Sequence, residues 1–185
     1  NYYRSQVDPS VKLMAMVKAF SYGSGGFEIA NMLQFHHVDY LAVAYADEGV
    51  ELRKAGIKLP IMVMNPEEYA FETMIKYQLE PEIFSFRALR LLERAIRRNA
   101  MPQNKPVKVH VKVDTGMNRL GFVETEIDRL VDELKQNPLI YVQSVFSHLS
   151  ASDKPEFDDF TREQIQLFRE MGNKIASSFE QKVYL

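Results

Sequence analysis

The sequence predicts an α/β fold, a (β/α)8 barrel of the TIM type truncated after about six βα units plus the start of strand 7, and three observations predict it. Short apolar or β-branched runs of strand length recur along the chain, segments with helical spacing lie between them, and no long linkers intervene. Such alternation implies parallel strands joined by right-handed crossovers, in either an open doubly wound sheet or a closed barrel. The number of strands favours the barrel. Six complete units and a seventh strand exceed the five or six strands of common doubly wound orders and stop just short of the eight found at ~250 residues.

In order, the strand-length runs are 12–17, 38–44, 60–64, 81–86, 107–113, 141–146 and 182–185. The first helical segment carries Phe27, Ile29, Ala30 and Leu33, and the fourth carries Leu89, Leu92 and Ile96. The others are read over 48–55, 67–77, 124–136 and 156–179, with a modest linker at 99–106 that contains two prolines.

Composition narrows the class of function. The 185 residues are 46% hydrophobic, and 23 basic against 25 acidic side chains leave a formal net charge of −2. A nucleic-acid or anionic-membrane partner favours a clustered basic excess, so a small-molecule substrate fits better. With no cysteine, disulfides and thiolate metal sites are excluded and a reducing compartment is permitted. The cytoplasm is the default expectation. No stretch approaches the ~20 apolar residues of a membrane span, and residues 1–8 are too polar for a signal peptide. The opening on Asn1 and the close on Val183-Tyr184-Leu185 lead us to expect an incomplete barrel domain, residues 1–185, excised from a longer protein.

Several residues could carry chemistry. The first run ends at Lys18 and enters the glycine-rich segment Gly23-Ser24-Gly25-Gly26. Period-2 alternation points Lys18 the same way as Met14 and Met16, toward the buried side of the sheet, where a lysine is partly desolvated as a Schiff-base amine requires. A rim lysine that snorkels to water is the structural alternative. Glycines before a helix suit an anion, although a plain strand-to-helix turn explains them as well. In the fifth run Val107, Val109, Val111 and Val113 alternate with Lys108, His110, Lys112 and Asp114. Within a parallel barrel the valines would face the helices and the polar set the interior, where residues at strand C-termini read as catalytic. Arg119 then sits in a loop between Gly116 and Gly121, suited to an anionic or phenolic oxygen, and His148 follows the sixth run. His36 and His37 show no ligand spacing and no metal site is expected. The acidic cluster 153–159 and the pair Arg97-Arg98 read as helix-terminal charge.

Three segments in this order resemble the alanine racemase family. Met16-Val-Lys18-Ala-Phe-Ser-Tyr22-Gly23 is similar to its cofactor-lysine signature, Lys112-Val-Asp114-Thr-Gly116-Met117-Asn-Arg119-Leu-Gly121 to its second block, and Phe146-Ser-His148-Leu to its third. The resemblance extends over nearly the whole chain, and its second block is the most specific. It implies a fold type III barrel binding pyridoxal 5'-phosphate, with Lys18 as cofactor lysine and one of two acid–base groups. It further implies Tyr22 at the cofactor phosphate, Arg119 beside the phenolic ring oxygen and among the substrate-binding residues, and His148 near the ring. Lys112 would occupy a position that is carbamylated in some members. The implied activity is interconversion of L- and D-alanine for peptidoglycan synthesis by a homodimer. The second acid–base group, a tyrosine, would come from the partner's C-terminal β-domain, which this chain lacks, and some members are fused to a cell-wall ligase. Three other readings stay open: a cofactor-binding homeostasis protein of the same barrel type, a related racemase acting on serine or lysine, and a non-catalytic barrel module.

Overall fold

The computed structural model describes residues 2–99 and 105–185. In chain order the elements are α1 (Tyr2–Ser5), β1 (Met14–Met16), α2 (Lys18–Tyr22), α3 (Gly26–Phe35), β2 (Tyr40–Val43), α4 (Ala46–Lys54), β3 (Ile61–Val63), α5 (Phe71–Lys76), β4 (Glu80–Ile83), α6 (Phe86–Arg98), β5 (Val107–Lys112), α7 (Ile127–Lys135), β6 (Ile140–Phe146) and α8 (Asp158–Ala176). The strands are parallel and ordered as in the chain, β1-β2-β3-β4-β5-β6, so each crossover returns beside the strand it left. The sheet is not closed. Tyr184 bridges Ser144 in parallel, with Tyr184 N–H donating to Gln143 O at 3.1 Å, which is the start of the seventh strand expected from sequence.

The chain divides into two compact units, Asn1–Pro81 and Glu82–Leu185. In the first, Leu41, Val43, Ile61 and Val63 are fully buried and pack with Phe71, Met74 and Leu79. Strands apolar on both faces suit a parallel sheet covered by helices. In the second, Val109 and Val111 of β5 are buried, as are Leu89 and Leu92 of α6, Leu130 of α7 and Ile175 of α8.

Boundaries moved where a local hydrogen bond outcompetes periodicity. Helix α6 begins at Phe86 because Ser85 Oγ accepts the Ala88 N–H at 3.2 Å, which ends β4 at Ile83 rather than at 86. Helix α5 starts at Phe71, not 67, since Ala70 N–H bonds back to Glu67 O at 3.0 Å in a tight turn. The segments 124–126 and 155–157 are 3-10 turns leading into α7 and α8. Asp158 and Asp159 occupy the first turn of α8 and Arg97 and Arg98 the last of α6, as expected for charges at helix ends. His36 caps α3, and the linker at 99–106 lies largely outside the described residues.

Candidate functional site

Strand β1 delivers Lys18, but not by simple alternation. The strand ends at Met16, Val17 is buried with its N–H on Ala42 O at 2.8 Å, and Lys18 opens the next turn, half-buried. The expected buried face is in fact open, Met14 being 44% and Met16 39% exposed, because β1 is an edge strand with a single neighbour.

The turn after Lys18 runs left-handed. Ala19, Phe20, Ser21 and Tyr22 have φ between 50° and 55°, and Gly23 follows at 92°. Left-handed helix costs an L-residue roughly 1–2 kcal/mol because Cβ crowds the following carbonyl, so four such residues in succession require outside support. Glu48 supplies part of it. Its Oε1 accepts the Ala19 N–H at 2.6 Å, while Oε2 accepts Ala44 N–H at 2.7 Å and Tyr45 N–H at 3.1 Å, the latter two at the N-terminus of α4. Phe20 O accepts Gly23 N–H at 3.1 Å and Gly25 N–H at 3.2 Å. Inside the turn Ser21 Oγ is buried with no hydrogen-bond partner, and Tyr22 is 75% exposed.

In the second unit the polar row of β5 lies beside a residue that sequence reading passed over. Glu82 of β4 is fully buried and in register with His110, whose Nδ1 is 2.7 Å from Ser144 Oγ on β6. Lys112 is buried with its Nζ 3.2 Å from Glu82 Oε1 and 5.5 Å from the centre of the Phe146 ring. The contact is an ion pair without hydrogen-bond geometry, so both Glu82 oxygens lack a donor. Burial pushes the Glu82 carboxyl up to about 7 against the opposing pull of Lys112 and, more weakly, Arg119. The signal existed in the sequence: Glu80 and Glu82 alternate within 79–83 as Lys108, His110 and Lys112 do in the next strand.

The Arg119 loop is pinned at its root. Asp114 Oδ1 accepts Gly116 N–H at 2.9 Å and Asn118 N–H at 3.1 Å, and the chain returns so that Phe122 N–H reaches Lys112 O at 3.0 Å. Only glycine serves at 121: a Cβ there would stand 2.6 Å from Asp114 N and 2.7 Å from Val113 C. Arg119 itself is exposed, as is His148, whose imidazolium is held below its ordinary value by partial burial, then by the charges of Arg119 and Lys112. Gln164 of α8, also missed from sequence, ties both loops. Its Nε2 donates to Thr115 Oγ1 at 3.3 Å and His148 O at 3.2 Å, and its Oε1 accepts Ser150 N–H at 3.1 Å.

Lys112, Arg119 and His148 are thus gathered in one unit with Glu82, and Lys18 shares a turn with Tyr22 in the other. Lys18 follows β1, Lys112 ends β5, and Arg119 and His148 lie in the segments after β5 and β6, so these residues gather at strand carboxyl ends, the arrangement of a domain of the parallel α/β barrel class. A profile described as "Alanine racemase, N-terminal domain" matches residues 1–184, and the chain belongs to that family. An alanine racemase of Thermodesulfovibrio yellowstonii is 37% identical over 159 residues, covering 86% of this chain and 41% of that protein. Alanine racemase 2 of Caldanaerobacter subterraneus subsp. tengcongensis is 34% identical over 172 residues, 91% of this chain and 43% of the relative. Among solved structures, an alanine racemase of Clostridium difficile 630 in complex with cycloserine superimposes with a TM-score of 0.87 at 28% identity, over 98% of this chain and 49% of that one. The chain therefore spans less than half the length of these relatives.

Proposed function

We propose that this chain is the cofactor-binding N-terminal domain of a pyridoxal-phosphate-dependent racemase that interconverts L- and D-alanine. The observation that carries the reading is Lys18, a half-buried primary amine at the exit of β1 followed by four left-handed residues, in a chain of this family. Non-glycine residues held in this region mark sites where the surrounding structure stores strain for a function.

The residues fit such a cofactor. An aldehyde needs a primary amine, which Lys18 offers. The unpartnered Ser21 Oγ is a hydroxyl free for a ligand oxygen. Lys112 and Arg119 both act on the buried Glu82, and their cationic groups suit a group bearing phosphate and phenolate charge. In this reading Tyr22 contacts the phosphate, Arg119 lies beside the phenolic oxygen and contributes to substrate binding, and His148, whose pKa is lowered by partial burial and then by its cationic neighbours, packs near the ring. The cofactor, when bound, supplies a conjugated ring that takes up the electron pair left as the α-proton departs. Lys18 Nζ holds or returns that proton on one face of the substrate Cα. A second group must serve the other face, and we place it outside these residues, in a partner subunit of a homodimer. The cycloserine bound by the Clostridium difficile relative supports a ligand of small-amino-acid size. D-alanine so made would feed peptidoglycan in the cytoplasm. No helix among the described residues is long and apolar enough to cross a membrane.

The test is an absorbance scan of the full-length protein on addition of cofactor, paired with a racemisation assay. A near-visible band should form, and Lys18→Ala should abolish both the band and the conversion of L-alanine. Absence of a band in the native protein, or one unchanged in the variant, would sink the reading.

A further inference from the structure

We propose that Glu82 is the resident counter-ion of Lys112, a positioning residue that keeps the Lys112 amine an unmodified ammonium. The negative charge that family resemblance would place on Lys112 itself, as a carbamate, is supplied here by the neighbouring strand.

Glu82 is a fully buried carboxylate on β4, neither of whose oxygens accepts a hydrogen bond. Buried polar groups without partners are rare and call for an explanation. A carboxylate removed from water is tolerable when a cation stands against it, and Lys112 Nζ stands 3.2 Å from Oε1. The lysine is equally committed: its side chain is 7% exposed, and its amine lies 5.5 Å from the centre of the Phe146 ring. Parallel pairing of β4 with β5 fixes the approach, because Glu82 is in register with His110 and Lys112 is two residues further along the same face.

Carbamylation would have to work against this pair. The ammonium first gives up one proton; the lone pair of the resulting neutral amine attacks the carbon of CO2, an N–C bond forms, one C=O electron pair moves to oxygen, and a second proton leaves the nitrogen. The side chain changes from one positive charge to one negative charge. Glu82 opposes both ends of that change. It favours the ammonium, which has no lone pair to attack with, and it would afterwards face a second anion across a few ångströms of buried space, where two like charges oppose each other's ionisation. Nor does the arginine loop depend on a carbamate for its shape. Asp114 Oδ1, the return of Phe122 onto Lys112 O and the contacts of Gln164 already hold it.

The inference concerns the state of one amine and stands apart from the racemase reading, since its readout involves neither cofactor nor turnover. Carbon NMR of the full-length protein, equilibrated with isotope-labelled bicarbonate on the alkaline side of the Glu82 value of about 7, tests it. Wild type should show no carbamate signal that Lys112→Arg removes. Glu82→Gln and Glu82→Thr should each gain such a signal. A Lys112-dependent carbamate in wild type overturns the proposal, and so does its absence from the folded variants. Circular dichroism establishes which variants fold; should Glu82→Gln not, Glu82→Thr carries that arm, and should neither, the wild-type spectrum alone decides.

Discussion

Burial is the largest cause of the shifts at both Glu82 and His148, with opposite consequences for stability. The folded Glu82 carboxyl keeps its proton up to about 7, whereas the unfolded one releases it near 4.5. Between those values the folded state binds more protons, so stability falls as pH rises through this window. At ~1.4 kcal/mol per unit the effect is on the order of 3–4 kcal/mol at most. Urea denaturation across the window should show the slope in wild type and its loss in Glu82→Gln. For His148 the folded value lies below 6.5, so the unfolded chain takes up a proton first and stability declines as pH falls below 6.5. Arg119→Met should move the His148 titration back upward, followed by NMR of the imidazole; an unchanged titration would show that Arg119 is too distant to act on it. The chemistry-bearing types at Lys18, Tyr22, Lys112, Arg119 and His148 were legible because each sits in a recognisable local segment. Gln164 was not, and Glu82 showed only its alternation with Glu80, because their meaning lies in partners on other elements: 30 residues away for Lys112, and 49 for Thr115.

At the scale of the element, the left-handed turn depends on contacts distant in sequence. Ala, Phe, Ser and Tyr have no preference for positive φ, so nothing in Ala19-Phe20-Ser21-Tyr22 announces it, and the glycines after it read as an ordinary strand-to-helix turn. Glu48, lying 29 residues on, receives the Ala19 N–H and fastens the start of α4 with the same carboxylate. Glu48→Ala removes an acceptor for three N–H groups and should cost about 1–2 kcal/mol, the scale of a lost helix cap. Amide exchange at residues 18–22 should quicken in parallel, and Glu48→Gln, which keeps one carbonyl oxygen, should lose less. Exchange that speeds up in α4 alone would show that the turn is held by other means. The arginine loop offers a sharper case. In Gly121→Ala the new Cβ would meet backbone atoms of Val113 and Asp114, which cannot rotate away, so we expect a loss of about 2–4 kcal/mol in urea midpoint stability, the range of overpacked or strained sites. Helix and strand identity followed periodicity from α3 to α8, while the short α1 and α2 carried no periodic signal. Boundaries did not, since Ser85 and the Ala70 turn override it with single hydrogen bonds.

The molecule as a whole was the most legible level, because alternating strand and helix periods allow few topologies once crossovers are right-handed and neighbours in sequence pair. The observed order β1 to β6, with Tyr184 beginning a seventh strand on β6, follows from that rule. What the topology leaves open bears on catalysis. Racemisation requires proton removal on one face of Cα and delivery on the other, and in our reading Lys18 serves one face while the second group lies beyond these 185 residues. The relatives are more than twice as long as the stretch they share with this chain. Residues 1–185 expressed alone should therefore give no D-alanine from L-alanine above background by chiral chromatography, while the full-length protein converts it and loses conversion with Lys18→Ala. The comparison includes a solvent-exchange assay of the substrate α-proton, which needs one acid–base group and not two. Exchange without racemisation would locate Lys18 alone within this domain, and racemisation by the short chain would place both groups inside it.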